Sequence, residues 1–119
     1  MANSAQRPLA ASAFAEAAPV FAALGDETRL RIVSRLCRGG PASISRLTDS
    51  ANVSRQAITK HLRALEDAGL VRSGVVGRER IWELQTRRLT QVRRYLDQIS
   101  DQWDGTLQRL RAFVETEEP

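Results

Sequence analysis

The chain has 119 residues, of which 42% are hydrophobic and 27% charged, with a formal net charge of +4. That length suits one domain whose small core gains from dimerisation, and the composition is that of an ordinary soluble globular protein. A single cysteine excludes an intramolecular disulfide, and no run of about 18 apolar residues offers a membrane span. Nothing therefore points to secretion or to a membrane partner, and the cytoplasm is the expected compartment. The alanine-rich start contains Glu16 and lacks the apolar core of a signal peptide. Fifteen of the eighteen Lys and Arg lie between residues 26 and 94, while the chain ends in Glu115-Thr116-Glu117-Glu118. Seventeen of the eighteen are arginine, the side chain best suited to bidentate contact with phosphate or guanine, so an anionic partner is expected.

Taken in chain order, residues 1–12 read as a flexible arm. Phe14, Ala17, Phe21 and Leu24 then share helical spacing and predict a helix over 13–24, which Pro19 either opens or kinks. Gly25 ends it and Asp26 caps the next helix, with Leu30, Val33, Leu36 and Cys37 as its apolar face and Cys37 as a small buried hydrophobe. Gly39-Gly40-Pro41 stops that helix, and Ser43 caps a short third one carrying Ile44 and Leu47. The turn from Asp49 to Val53 leads to Ser54, an N-cap for a helix over 54–68. Ile58, Leu62 and Leu65 build its buried stripe, while Arg55, Gln56, Thr59, Lys60 and Arg63 put hydrogen-bond donors on another face. Gly69 suits the left-handed position after the last turn, with Leu70 packing back onto the helix. Two short helices joined by a tight turn, the second with a polar outer face, form a helix-turn-helix whose second helix fits a DNA major groove.

Beyond Gly69 the period becomes that of a hairpin wing over 70–84, with strands 70–76 and 79–84 around Gly77-Arg78. Arg72, Arg78 and Arg80 decorate it and suit backbone or minor-groove contact. A long helix over 87–114 follows. Its residues Leu89, Val92, Leu96, Ile99, Trp103, Leu107, Leu110 and Val114 step close to a heptad, slipped by one residue near Gly105, where the helix has a weak point. So small a domain cannot bury that whole seam. A homodimer interface formed by Phe14, Phe21, Leu89, Val92, Leu96, Ile99, Trp103, Leu107 and Leu110 is expected. The fold class is thus mainly α with a β-hairpin wing. It is a winged helix-turn-helix of about five helices over 13–114, dimerising through its terminal helices, with an acidic tail over 115–119.

With these segments in place, the chain resembles the ArsR/SmtB family of winged-helix repressors. Phe21 to Val33, with its Leu24-Gly25-Asp26-Glu27-Thr28-Arg29-Leu30, matches the family. So do Val53 to Leu62, Leu65-Glu66-Asp67-Ala68-Gly69-Leu70-Val71, and the wing from Gly77 to Leu84. The resemblance implies a dimeric operator-binding protein, and carries base reading onto Arg55, Gln56, Thr59 and Lys60. Ser54, Arg63, Arg72, Arg78 and Arg80 are the backbone-contacting set. The chain departs from the family's metal sensors. Residues 43–49 hold no thiolate, the last helix has Asp97, Asp101 and Asp104 without a histidine, and the chain offers one Cys and one His in all. Neither metal nor cofactor is expected, and no residue set identifies an effector.

His61 has no ligating or catalytic partner in the sequence and reads as a packing or backbone-bonding residue, with phosphate contact as second choice. Trp82, Tyr95, Trp103 and Phe113 read as core or interface, and Gly74-Val75-Val76-Gly77 as turn chemistry without the context of a phosphate loop. No nucleophile–base–orienter set is visible, so an enzyme is not expected. The leading reading is a dimeric repressor on an inverted-repeat operator in duplex DNA. The alternatives are a winged-helix protein-interaction module and a redox-responsive regulator acting through Cys37.

Overall fold

The computed structural model describes residues 11–49 and 52–117, and the order of elements is α1 (Ala11–Leu24), α2 (Glu27–Gly39), β1 (Ala42–Ser43), α3 (Ile44–Asp49), α4 (Arg55–Asp67), β2 (Val71–Val76), β3 (Glu79–Leu84) and α5 (Thr86–Glu117). Most of the expected arm, part of the turn at 50–51, and the end of the acidic tail lie outside the described residues.

The α1 helix is a single element with Pro19 inside it. Proline has no N–H to give, but Ala15, whose carbonyl would have received it, is exposed and reaches water. Asp26 caps α2 through an Oδ2 that accepts the Arg29 backbone N–H at 3.0 Å. The buried face of α2 is only half the expected one: Leu36 enters the core and Val33 packs against it, but Ile32 joins them in place of Leu30, which is 50% exposed, and Cys37, which is also exposed. Apolar residues occupy two faces of this helix, and 30-33-37 mimics a stripe as well as 32-33-36 does. Only the second faces the common core.

Ser43 does cap α3, its Oγ accepting the Arg46 N–H at 3.3 Å. It also belongs to a two-residue strand that the sequence reading missed. Ala42 and Ser43 pair with Trp82 and Ile81, so β1 adds to the wing hairpin and makes a three-stranded antiparallel sheet in the order β1-β3-β2.

One core joins all of these elements. It gathers Val20 and Ala23 of α1, Ile32 and Leu36 of α2, Ala42, Leu47, Val71, Trp82 and Val92 around Ile58, Leu62 and Leu65 of α4, which are wholly buried. The α4 helix is therefore at the centre of the domain while keeping one face outside. Fully burying each of those three side chains contributes about 1.5–3 kcal/mol, and that burial fixes which face of α4 remains outside. Among the described residues, no helix is long and apolar enough to cross a membrane.

Candidate nucleic-acid interface

Both ends of α4 are closed as local chemistry dictates. Ser54 has extended backbone angles and its Oγ accepts the Ala57 N–H at 3.1 Å, satisfying one of the orphan donors of the first turn. At the other end Gly69 has φ +79°, Leu70 N–H donates to the Leu65 carbonyl at 2.9 Å, and Leu70 is wholly buried. This is a Schellman closure with its apolar contact. The chain then runs straight into β2.

Between those caps, Arg55, Gln56, Lys60 and Arg63 are exposed and Thr59 is half-buried. They occupy one side of α4, opposite the Ile58–Leu62–Leu65 stripe. Arg55 reaches Ser45 Oγ of α3 through its NH1 at 3.3 Å, which steadies its guanidinium beside the first helix of the motif. The Thr59 hydroxyl donates to the Arg55 carbonyl at 2.9 Å, leaving its oxygen lone pairs outward as acceptors. The exposed row thus carries mostly donors, and the guanidinium at its start has a fixed neighbour.

The wing is a two-residue hairpin in which Val76 opposes Glu79. Gly77 has φ +65° and no non-glycine residue among those described has positive φ, so only the first loop position is left-handed, the pattern of a type II′ turn. The expected wing cations differ in their surroundings. Arg78 stands at the exposed tip without an ion-pair partner among the described residues. Arg80 NH1 donates to Ser73 Oγ at 2.9 Å across the hairpin. Arg72 is opposite Glu83 in the ladder, and its Nε donates to that carboxylate at 2.5 Å. Arg72 is therefore partly neutralised before any anion arrives.

His61, on the flank of α4, is partly buried and meets two side chains at the junction of α1 and α2. Its Nδ1 lies 3.3 Å from Arg29 NH1 and 3.8 Å from Asp26 Oδ2. The Asp26 carboxyl is held below its ordinary range, chiefly by the Arg29 backbone N–H. The His61 ring, the Arg29 guanidinium and the Thr28 N–H act the same way, while burial opposes them. No sequence signal marks this contact, because 32 residues separate its two side chains.

The expected dimer seam divides in two. Val92 is buried in the core of its own chain, and Leu89 and Phe21 pack against that core. All three hold α5 and α1 to the domain, and Val92 is too deeply buried to meet a partner. Tyr95 fixes the junction, making edge contacts with the rings of Phe14 at 5.9 Å and Phe21 at 5.6 Å between centroids. Beyond it Leu96, Ile99, Trp103, Leu107, Leu110, Phe113 and Val114 are all exposed, as is Phe14. The helix continues through Gly105 without interruption. Among the described residues no group of three or more His, Cys, Asp or Glu could hold a metal ion.

A basic-faced helix in a helix-turn-helix, followed by a hairpin with an arginine at its tip, defines a winged-helix DNA-binding regulator. Residues 24–74 match the profile of a helix-turn-helix domain family. The chain is 34% identical over 95 residues to the HTH-type transcriptional regulator Rv2034 of Mycobacterium tuberculosis, covering 80% of this chain and 85% of that one. A solved ArsR-like transcriptional regulator from Rhodococcus sp. RHA1 superposes with a TM-score of 0.74 at 43% identity, covering 86% of this chain and 95% of the other. A shorter match, 37% over 51 residues, covers 43% of this chain and 49% of the arsenical resistance operon repressor of Bacillus subtilis. The chain belongs to the ArsR family of winged helix-turn-helix transcriptional regulators, which are DNA-binding proteins and not enzymes.

Proposed function

We propose that this regulator is a cytoplasmic repressor that works as a homodimer on an inverted-repeat operator. Each α4 enters one major groove, with half-sites one helical turn (~34 Å) apart. The observation that carries this reading is the division of α4 into a wholly buried stripe and an exposed donor face. Arg55, Gln56, Thr59 and Lys60 meet base edges, where arginine and glutamine suit guanine and adenine respectively. Ser54, Arg63, Arg78 and Arg80 hold the backbone, and Arg72 contributes once its pairing with Glu83 is exchanged for phosphate. Repression as the output is supported by the likeness to the arsenical resistance operon repressor of Bacillus subtilis, and follows from occluding polymerase.

The exposed seam of α5 supports a second copy of the chain as the partner. From Leu96 to Leu110 its stripe of Leu96, Ile99, Trp103, Leu107 and Leu110 steps by 3, 4, 4 and 3, a spacing that reads the same in both directions about Trp103. Two antiparallel copies in that one register set Trp103 against Trp103, Ile99 against Leu107 and Leu96 against Leu110 around a two-fold axis. The same register brings Phe113 of one copy toward Tyr95 and Phe14 of the other, covering the remaining exposed aromatics. Selection of bound duplexes from a random pool, with sedimentation of the free protein, tests both parts. The reading expects a palindromic consensus and a dimer. A monomer, or a protein that enriches no sequence, overturns it.

A further inference from the structure

Arg29 touches three elements at once. Its backbone N–H completes the Asp26 cap of α2. Its Nε donates to the Ala23 carbonyl at 2.6 Å, and its NH1 faces His61 Nδ1 on α4 at 3.3 Å. The Ala23 carbonyl is in the last turn of α1, where no helical N–H is available to it. Because a guanidinium only donates, His61 Nδ1 is the accepting atom of this contact. Arg29 is half-buried and the His61 side chain 22% exposed, so neither contact is open to free exchange with water.

The position of His61 gives this contact its meaning. On α4 the residue lies on the flank of the Ile58–Leu62–Leu65 stripe opposite Arg55, which is held by Ser45 of α3. The helix is gripped on both flanks: by α3 through Arg55, and by α1 and α2 through His61. An apolar stripe alone sets the rotation of a helix loosely. A turn of about 20° about its axis displaces side-chain tips by ~2 Å, enough to spoil hydrogen bonds to base edges.

We propose that Arg29 is the positioning residue that ties the rotation of the recognition helix α4 to the end of α1, with His61 as the receiving group. It contacts no DNA. It acts by holding Arg55, Gln56, Thr59 and Lys60 in one setting relative to α1, the helix whose exposed Phe14 borders the α5 seam. This role rests on α4 being the base-reading helix.

The test uses the full chain and four proteins: wild type, Arg29→Lys, His61→Phe and His61→Gln. Lysine keeps the charge but lacks the planar fork that holds the Ala23 carbonyl and His61 at fixed angles, and phenylalanine removes the acceptor. Glutamine offers an amide oxygen in place of Nδ1. Each is titrated at one salt concentration against the duplex the wild type selects from a random pool, and against an unrelated duplex of equal length. For Arg29→Lys and His61→Phe, affinity for the selected duplex is expected to fall about tenfold. Sequence-independent binding should stay within about twofold, because no phosphate contact is lost. His61→Gln recovers most of the loss, which a merely structural role for the ring would not allow. Equal affinity of all four for the selected duplex overturns the proposal, as does loss of both duplexes in proportion to an unfolded fraction. Hydrogen exchange on the free proteins gives a second reading. Arg29→Lys is expected to speed exchange in α4 and in the last turn of α1 while leaving α5 unchanged, and unaltered exchange in α4 overturns the joint. If the wild type selects no duplex, the base-reading assignment falls, and the exchange result alone decides the joint.

Discussion

The two arginines that bracket the wing make opposite demands on a salt titration. Arg78 is exposed at the hairpin tip with no ion-pair partner among the described residues, so any phosphate it meets gains a full positive charge. Arg72 is already joined to Glu83 at 2.5 Å, with side-chain exposures of 66% and 38%. Each neutralised phosphate contributes a slope of about −0.9 to log K against log salt, so Arg78→Ala should flatten the slope of a dimer by about 1.8. Between 50 and 200 mM salt that amounts to about a tenfold smaller loss of affinity than the wild type shows. The effect should be equal for selected and unrelated duplexes, because a phosphate contact carries no sequence information. Glu83→Gln should act in reverse, releasing Arg72 and raising affinity for every duplex. Fluorescence anisotropy at four salt concentrations reads both. An unchanged slope for Arg78→Ala, or a changed preference for particular base pairs, would refute the assignment of the wing to the backbone. Weaker binding by Glu83→Gln would refute the claim that Glu83 masks Arg72.

Three further outcomes follow from single residues. Gly69→Ala should destabilise the fold by about 1–2 kcal/mol in urea melts. The residue holds φ +79°, and a Cβ there would lie 3.1 Å from Cγ and Nε of Arg88, against a small gain from stiffening the unfolded chain; an unchanged or higher midpoint would contradict that closure. Trp103→Arg should leave the circular dichroism of the domain intact and yield monomers on sedimentation, because the side chain is 60% exposed and touches no core; a dimer as tight as the wild type would remove Trp103 from the two-fold axis. Asp26→Asn tests the cap electrostatically. The folded carboxyl is held below its ordinary value, so its stabilisation is fully present above that value and lost as pH falls through the folded one. The stability gap between wild type and variant is therefore expected at pH 7 and should close in acid; a gap that widens in acid would be the wrong sign.

How far the fold was legible depended on the range of the interaction that decided each feature. Ser54 and Gly69 declare the ends of α4 within a few residues of chain, and both caps form where the sequence puts them. The stripe of α4 is equally plain, because Ile58, Leu62 and Leu65 have no apolar rival on the helix. In α2 the rivals exist: Leu30 and Cys37 compete with Ile32 for the inner face, and only the position of the rest of the core decides between them. Cys37 consequently lies on the surface, not in the core. Strand β1 has two residues, too short for a period of two to show, and its pairing with Ile81 and Trp82 is a tertiary choice. The Arg29–His61 contact is of the same kind. Of the candidate interface, the exposed donor row of α4 could be read from the helix alone, whereas the pairing of Arg72 with Glu83 required the register of the hairpin.

The central claim is that Arg55 and Gln56, at the start of α4, read bases in two symmetric half-sites. Parallel selections from one random duplex pool with wild type, Arg55→Ala and Gln56→Ala test it most directly. The account predicts a palindromic wild-type consensus from which each variant loses discrimination at one or two matched positions per half-site, at about 1–3 kcal/mol for a lost bidentate contact. Variants that return the wild-type consensus unchanged, with only a uniform loss of affinity, would contradict it.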